Sequence, residues 1–378
     1  MKHKPIVALD LGSTKVACVV ARPRSEGLGM DILGSGVARH PLPTTTWPCE
    51  PAVIGRTVER ALEEADVMES LDRAWVAVTH PALSHHRVAA QIELAAEPVP
   101  IRERVVQRLK AQATAQSLGI DRDVLLLEPL GYQGNGFDGA IDPRGLLATR
   151  LKGQFQLVAI PVAVRRAIVH GLEIAGLEAE RVVYGVRASA AACFDGQASA
   201  QRVLLIDLGG CSTDLAVVEQ GRITHSCTVP WGGATVIDAV AMACRLPLEQ
   251  ALAASLEGLA SPKPEIREIL ERELDVLHSG ISALLQGVVP PDRAVVTGGG
   301  ALIDGLVEWV ERATGIPSVL GRSPHAQRFG DVARQVALTA ALGLLVPTAS
   351  GQVPLPSRTP RLLNRLFQGT KTVLTEYF

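Results

Sequence analysis

Short runs of Val, Ile, Leu and Ala, each closed by an acidic residue or a glycine, alternate along this chain with longer segments whose apolar positions recur every three or four residues. The first pattern predicts strands and the second helices, because side chains alternate faces along a strand and return to one face after about 3.6 residues in a helix. Residues 6–9 and 16–21 read as strands, and 50–68 as a helix with Val53, Ile54, Val58, Leu62 and Ala65 on one side. Residues 75–78 and 88–94 read as strands, 102–118 as a basic amphipathic helix, and 124–130 and 154–160 as strands again. A helix over 162–176, ending at Ala175-Gly176, leads to a strand candidate at 182–186. The small-residue run Arg187-Ala188-Ser189-Ala190-Ala191-Ala192 then reads either as a hinge or as a closely packed helix. Strands at 203–206 and 215–218 precede a mostly helical stretch, 235–290, and the strand 294–296 leads into a helical pattern over 301–311.

Two of these strand pairs enclose the same turn. Asp10-Leu11-Gly12-Ser13-Thr14-Lys15 follows 6–9, and Asp207-Leu208-Gly209-Gly210-Cys211-Ser212-Thr213-Asp214 follows 203–206. Glycine lets the backbone N–H groups approach an anion closely, and hydroxyl and ammonium groups add donors. The candidate phosphate cradles are therefore Gly12, Ser13, Thr14 and Lys15 in one turn and Gly209, Gly210, Cys211 and Ser212 in the other. A carboxylate repels phosphate directly, so Asp10 and Asp207 are the candidate catalytic pair, holding water on a Mg²⁺ that bridges the phosphates. One such turn alone is equally a β-hairpin with a solvated Asp, but two copies in matching strand contexts favour the cradle. Thr297-Gly298-Gly299-Gly300 alone is equally a plain strand-to-helix turn. In third place after two phosphate loops, Gly298, Gly299 and Gly300 are candidates for the surface under a base and ribose. The three segments together resemble an actin-like nucleotide cleft.

The chain has 378 residues, beyond the roughly 250–300 at which single cores stop growing, so two or more domains are expected. A net charge of −2 gives no global field toward nucleic acid, and the arginines of 102–118, lacking an aromatic stacking platform, read as a solvated face. Six scattered cysteines without C-x-x-C or Cys/His spacing argue against zinc and a disulfide framework and for a reducing compartment. The apolar stretch after Lys4 ends at Asp10, too short for a signal-peptide core, and the run 336–346 falls short of the roughly 18 residues that span a bilayer.

Pro347, Pro354, Pro356 and Pro360, interspersed with Thr, Ser and Gly, read as a linker. After it, Leu362, Leu363, Leu366, Phe367, Val373, Leu374, Tyr377 and Phe378 fall on one helical face flanked by Arg361, Arg365 and Lys371. This is the pattern of an interfacial helix, with its apolar face in the acyl boundary and cations toward anionic headgroups. Gly369 costs about 1 kcal/mol relative to Ala in a helix, against about 1.5–3 kcal/mol for each large apolar side chain buried. The alternative is a helix docked on the protein's own body.

These residues resemble the FtsA family of bacterial actin-like division proteins over nearly the whole chain. Ala8 to Ala17 is similar to the family's first phosphate motif, Asp207 to Asp214 to its second, and Val296 to Gly300 with Ile303-Asp304-Gly305-Leu306 to its adenosine motif. Residues 132–151, with Asp138-Gly139, Asp142-Pro143, Gly145 and Arg150-Leu151, and then Glu173 and Ala175-Gly176-Leu177, are similar to the end of the family's inserted subdomain and the helix after it. The resemblance implies an α/β actin-like ATPase fold, with two pseudo-symmetric lobes around a nucleotide cleft and an inserted 1C, SHS2-like subdomain. The expected divisions are lobe 1A over 1–74 and 156–190, the 1C insert over 75–155, and lobe 2A over 191–234 and 290–346. A shortened 2B over 235–289, a linker over 347–360 and a membrane helix over 361–378 complete them. ATP and Mg²⁺ in the cleft, at most slow Mg-ATPase turnover, and self-assembly into filaments are further implications. So are a peripheral place on the cytoplasmic face of the inner membrane at the septum, and binding to the C-terminal tail of the tubulin-like FtsZ and to other division proteins.

The sequence also departs from the family. Cys211 stands at the third Gly of the usual D-x-G-G-G-T, Arg187 at a usually small position, and 247–258 lacks the Glu and Lys placed near the adenosine. The segment after Gly258 is short, trimming the part of 2B that binds FtsZ. A scaffold similar to the pilus-assembly protein PilM, a pseudo-ATPase without nucleotide and a soluble kinase of the same superfamily are the alternatives.

Overall fold

The structure is a computed structural model and describes residues 4–24, 29–40, 47–194, 201–261 and 263–346. The linker 347–360 and the amphipathic helix 361–378, with all its membrane-facing candidates, lie outside them.

The chain opens with β1 (Ile6–Leu11), β2 (Lys15–Pro23) and β3 (Met30–Arg39), an antiparallel meander, followed by α1 (Pro51–Ala65) and β4 (Arg73–Val78), which pairs with β1 in parallel. Next come β5 (Ser84–Glu93), β6 (Val99–Pro100), α2 (Glu103–Ser117), β7 (Arg122–Gly134), β8 (Phe137–Ala140), β9 (Leu147–Ala148) and β10 (Arg150–Pro161). Four of these strands form a separate antiparallel sheet in the order β5-β10-β7-β8. The helix α3 (Val162–Ile174) leads back to β11 (Glu178–Tyr184), which completes the first sheet as β11-β4-β1-β2-β3.

The helix α4 (Gly185–Cys193) then crosses to β12 (Arg202–Leu208), β13 (Thr213–Glu219) and β14 (Arg222–Val229), a second meander. Three helices follow, α5 (Gly233–Cys244), α6 (Leu248–Leu256) and α7 (Pro264–Leu285), then β15 (Arg293–Thr297), α8 (Leu306–Thr314), β16 (Ser318–Leu320), α9 (Val332–Ala337) and α10 (Thr339–Leu344). This sheet runs β14-β13-β12-β15-β16, with β15 parallel to β12 and β16 parallel to β15. Both large sheets thus consist of three antiparallel strands continued by two parallel ones, so the repeat seen in two turns extends to two whole sheets.

One core packs under the first sheet and reaches the outer face of the second, through Val7, Leu9, Val58, Tyr184, Leu205 and Ala216. Another fills the space between the second sheet and α5 to α8. The small-residue run lies within α4, seven of whose nine residues are buried. A β-carbon on Gly343 of α10 would sit 1.8 Å from the Ala188 carbonyl oxygen, so backbone meets backbone where these helices cross. That is the close-packed reading of the run.

Several boundaries move. The expected strand at 182–186 ends at Tyr184, and Gly185 opens α4. The helix expected from 301 begins at Leu306, because Gly299–Leu302 forms a 3-10 turn and Gly305 takes φ +77° before the helix starts. The divisions after 74 and 155 cut β4 and β10, and those after 190 and 234 cut α4 and α5. Apolar alternation marks a strand but carries no information about which sheet the strand joins.

Candidate functional site

The two turns have the same internal geometry. In one, the Gly12 N–H donates to the Lys15 carbonyl at 3.0 Å; in the other, the Gly209 N–H donates to the Ser212 carbonyl, also at 3.0 Å. They face each other and touch. The Cys211 N–H donates to Ser13 Oγ at 3.0 Å, and a β-carbon on Gly210 would lie 2.4 Å from Thr14 Cγ2 and 2.6 Å from Ser13 Oγ. Ser13, Cys211 and Ser212 are all buried in this contact. The third motif closes on the second: Gly298, with φ +83°, has room only for hydrogen, since a β-carbon would meet the Leu208 carbonyl oxygen at 2.4 Å and Asp207 Oδ1 at 2.7 Å. Gly300 packs on the Leu208 side chain, while Gly299 faces open space. The fold therefore brings together every candidate residue of the three motifs.

Asp10 and Asp207 occupy equivalent ends of β1 and β12. Burial pushes Asp10 up to about 6, opposed by Lys15 and reinforced by Asp207. Asp207 is likewise raised by burial, opposed by the Ser189 hydroxyl, which donates to its Oδ2 at 2.7 Å, and by Lys15. Lys15 Nζ stands 3.8 Å from Asp10 and donates to the Ala337 carbonyl at 2.9 Å. Among the described residues, no group of three or more His, Cys, Asp or Glu is arranged to hold a metal ion.

The residue types suit a nucleotide, but their arrangement does not. Ser13 Oγ and the Cys211 N–H, which would each face a phosphate, are bonded to one another. The Gly209 and Gly210 carbonyls accept from the Gly233 and Ala234 N–H groups at the start of α5. Where the family places Glu and Lys beside adenosine, α6 ends at Leu256, and Gly258 is pressed on the backbone of Asp304, with the Leu259 N–H donating to the Asp304 carbonyl at 2.9 Å. The tips of the two turns are in contact, through the Ser13–Cys211 bond and through Gly210 against Thr14.

A buried relay beside the cleft was not anticipated. Thr228 Oγ1 donates to Asp214 Oδ1 at 2.5 Å, so it accepts from His85 Nε2 at 2.8 Å. His85 Nδ1 is then an acceptor and takes the Ser226 hydroxyl at 2.8 Å, while Ser226 accepts from Gln156 Nε2 at 3.1 Å. Burial lowers His85 to about 4, consistent with this neutral tautomer, and raises Asp214 to about 7. Tyr184 also donates to Asp214 Oδ1, at 3.2 Å. The relay ties the β5-β10 sheet and the first sheet to β13 and β14. Asp214 stood within the quoted motif, and its register position opposite Asp207 was the available signal. Glu128 and Arg187 make a further buried pair at 3.4 Å, which gives the unusual arginine its partner.

The signature of cell division protein FtsA matches residues 204–343, and that of the SHS2 domain inserted in FtsA matches 80–159. The cell division protein FtsA of Pseudomonas aeruginosa is 26% identical over 380 residues, covering 91% of this chain and 89% of that protein. The chain belongs to the FtsA family. The Escherichia coli FtsA is 23% identical, covering 91% of this chain and 90% of that protein. Among solved structures, a chain of the PilM-PilN type IV pilus biogenesis complex superposes with a TM-score of 0.69 at 16% identity, covering 90% of this chain and 97% of that chain. The ethanolamine utilization protein EutJ of Carboxydothermus hydrogenoformans follows with a TM-score of 0.54 at 16% identity, covering 92% of this chain and 90% of that one. The fold is that of the actin-like proteins, and this FtsA-family chain is an actin-like protein of cell division. No helix among its described residues is long and apolar enough to cross a membrane.

Proposed function

We propose that this chain is a membrane-tethered actin-like scaffold of bacterial cell division, which self-assembles on the cytoplasmic face of the inner membrane at the septum and anchors the FtsZ ring through the FtsZ C-terminal tail. The observation that carries the reading is the joint presence of an FtsA body matched over 91% of the chain and a proline-spaced amphipathic terminus. The body supplies a repeatable block for a filament and a surface for FtsZ and other division proteins. The terminus supplies a lipid anchor: its apolar face gains about 1.5–3 kcal/mol per large side chain fully buried, less when insertion is partial, and its arginines add attraction to anionic headgroups. The expected ATP and Mg²⁺ are not part of this reading, because the turns that would hold them close on each other.

The test is co-sedimentation of the full-length protein with anionic liposomes, beside a chain ending at Pro356. Binding that depends on the terminus supports the tether. A full-length protein left in the supernatant favours the second reading, a PilM-like actin-fold scaffold, in keeping with the fold shared with a chain of the PilM-PilN complex at a TM-score of 0.69.

A further inference from the structure

A nucleotide's phosphates are held by charge-assisted hydrogen bonds from N–H, hydroxyl and ammonium donors. In this chain two of those donors are engaged within the protein. The Cys211 N–H is given to Ser13, and Lys15 Nζ is given to the carbonyl at the end of α9. Gly210 is in contact with Thr14, with no gap between the loops, and the Cys211 side chain, standing at the third glycine position, is itself buried in the junction. The far end of the cleft is filled in the same way, by Gly258 and Leu259 on the backbone of Asp304. The lobes are held closed a second time, away from the loops, by Tyr184 on Asp214 and by His85 on Ser226 and Thr228.

We infer that the cleft is a self-closed latch: the Ser13–Cys211 bond occupies the seat of a nucleotide's terminal phosphate, so this chain reaches its closed arrangement without binding a nucleoside triphosphate. Separating the loops by the width of a phosphate breaks the Ser13–Cys211 bond and the Gly210–Thr14 contact. The inference rests on the cleft geometry alone and stands or falls independently of the membrane and FtsZ assignments.

Full-length protein is titrated calorimetrically with Mg-ATP and with Mg-AMPPNP, and its melting temperature is measured with each at millimolar concentration. No saturable heat and an unchanged melting temperature are expected. Saturable binding near one site per chain, or a rise of several degrees, overturns the inference. Hydrogen exchange then addresses the latch in wild type and Ser13→Ala, with circular dichroism confirming that the variant is folded. The Cys211 amide is expected to exchange about tenfold faster or more in the variant, since the hydroxyl acceptor that protects it is gone. Unchanged protection of that amide overturns the latch even where nucleotide fails to bind.

Discussion

The Tyr184 hydroxyl at the end of β11 donates to Asp214 Oδ1 near the start of β13 at 3.2 Å, joining the two large sheets through a single carboxyl group. That carboxyl is fully buried, and its second oxygen has no hydrogen-bond partner among the described residues. Burial raises it from 3.8 to about 7, so the folded protein holds a proton there that the unfolded chain releases. The stability it contributes is therefore complete below about pH 3.8 and is lost as pH rises through about 7. Denaturant unfolding of wild type and Asp214→Asn at several pH values measures this. The wild-type advantage is expected to shrink from pH 4 to pH 7 and then to level off, and a pH-independent difference refutes the assignment.

His85 is predicted to fasten the β5-β10 sheet to the second lobe. His85→Ala leaves Ser226 and Thr228 without their shared partner, and a loss of about 1–3 kcal/mol follows from exposing buried polar groups unpaired. Amide exchange along β14 rises with it, while the far edge, at β16, is unaffected. The opposite sign applies to pH here: the His85 value is lowered to about 4, so the stability it contributes is present above the ordinary value of 6.5 and is lost as pH falls toward 4.

Arg187 and Glu128 form a pair in which neither charge is solvated well. Arg187→Leu removes the strongest countercharge of the buried Glu128, with Arg222 and Lys110 remaining, and a destabilisation of at most about 3–5 kcal/mol is expected by urea unfolding. Glu128→Gln in the same background restores part of the loss, because the isolated charge is what costs most. Failure of the second substitution to recover anything counts against the pair.

Gly343→Ala places a β-carbon 1.8 Å from the Ala188 carbonyl oxygen, so α4 and α10 must separate. Overpacking of this kind costs about 1–3 kcal/mol, read as a fall in melting temperature. Gly299→Ala, which meets nothing within 4 Å, is the matched control and changes it little.

The terminal helix gives a prediction outside the body. Leu366→Glu with Phe367→Glu puts two charges on the face assigned to lipid and is expected to abolish pelleting with anionic liposomes while leaving the melting temperature unchanged. A melting temperature that falls instead means that the helix packs on the protein.

The motifs were legible because the physics that makes them is local. A strand, an Asp and a glycine turn are written within a few consecutive residues, and both copies form as read, at Gly12 and at Gly209. What the two copies do to each other was not legible. The Ser13–Cys211 bond joins residues 198 apart in sequence, and His85 meets Thr228 across 143, so neither follows from spacing. The same limit explains the misplaced division at 74: Trp75 and Val76 alternate like any strand, and only the pairing of β4 with β1 assigns them to the first sheet. Arg187 on α4 departs from the family, and its partner Glu128 lies on β7, in the sheet of the inserted segment.

The two large sheets repeat one another strand for strand, yet Asp10 stands opposite Ala17 where Asp207 stands opposite Asp214. The duplication is chemically lopsided. The first half places a methyl group at this position and packs it in one cluster with Ala341 and Leu342 of α10, from the other half, whereas the second half carries a buried acid whose hydroxyl donors come partly from Tyr184, in the first. Each half lends the other a different part of its interior, so the pair is stitched together from both sides.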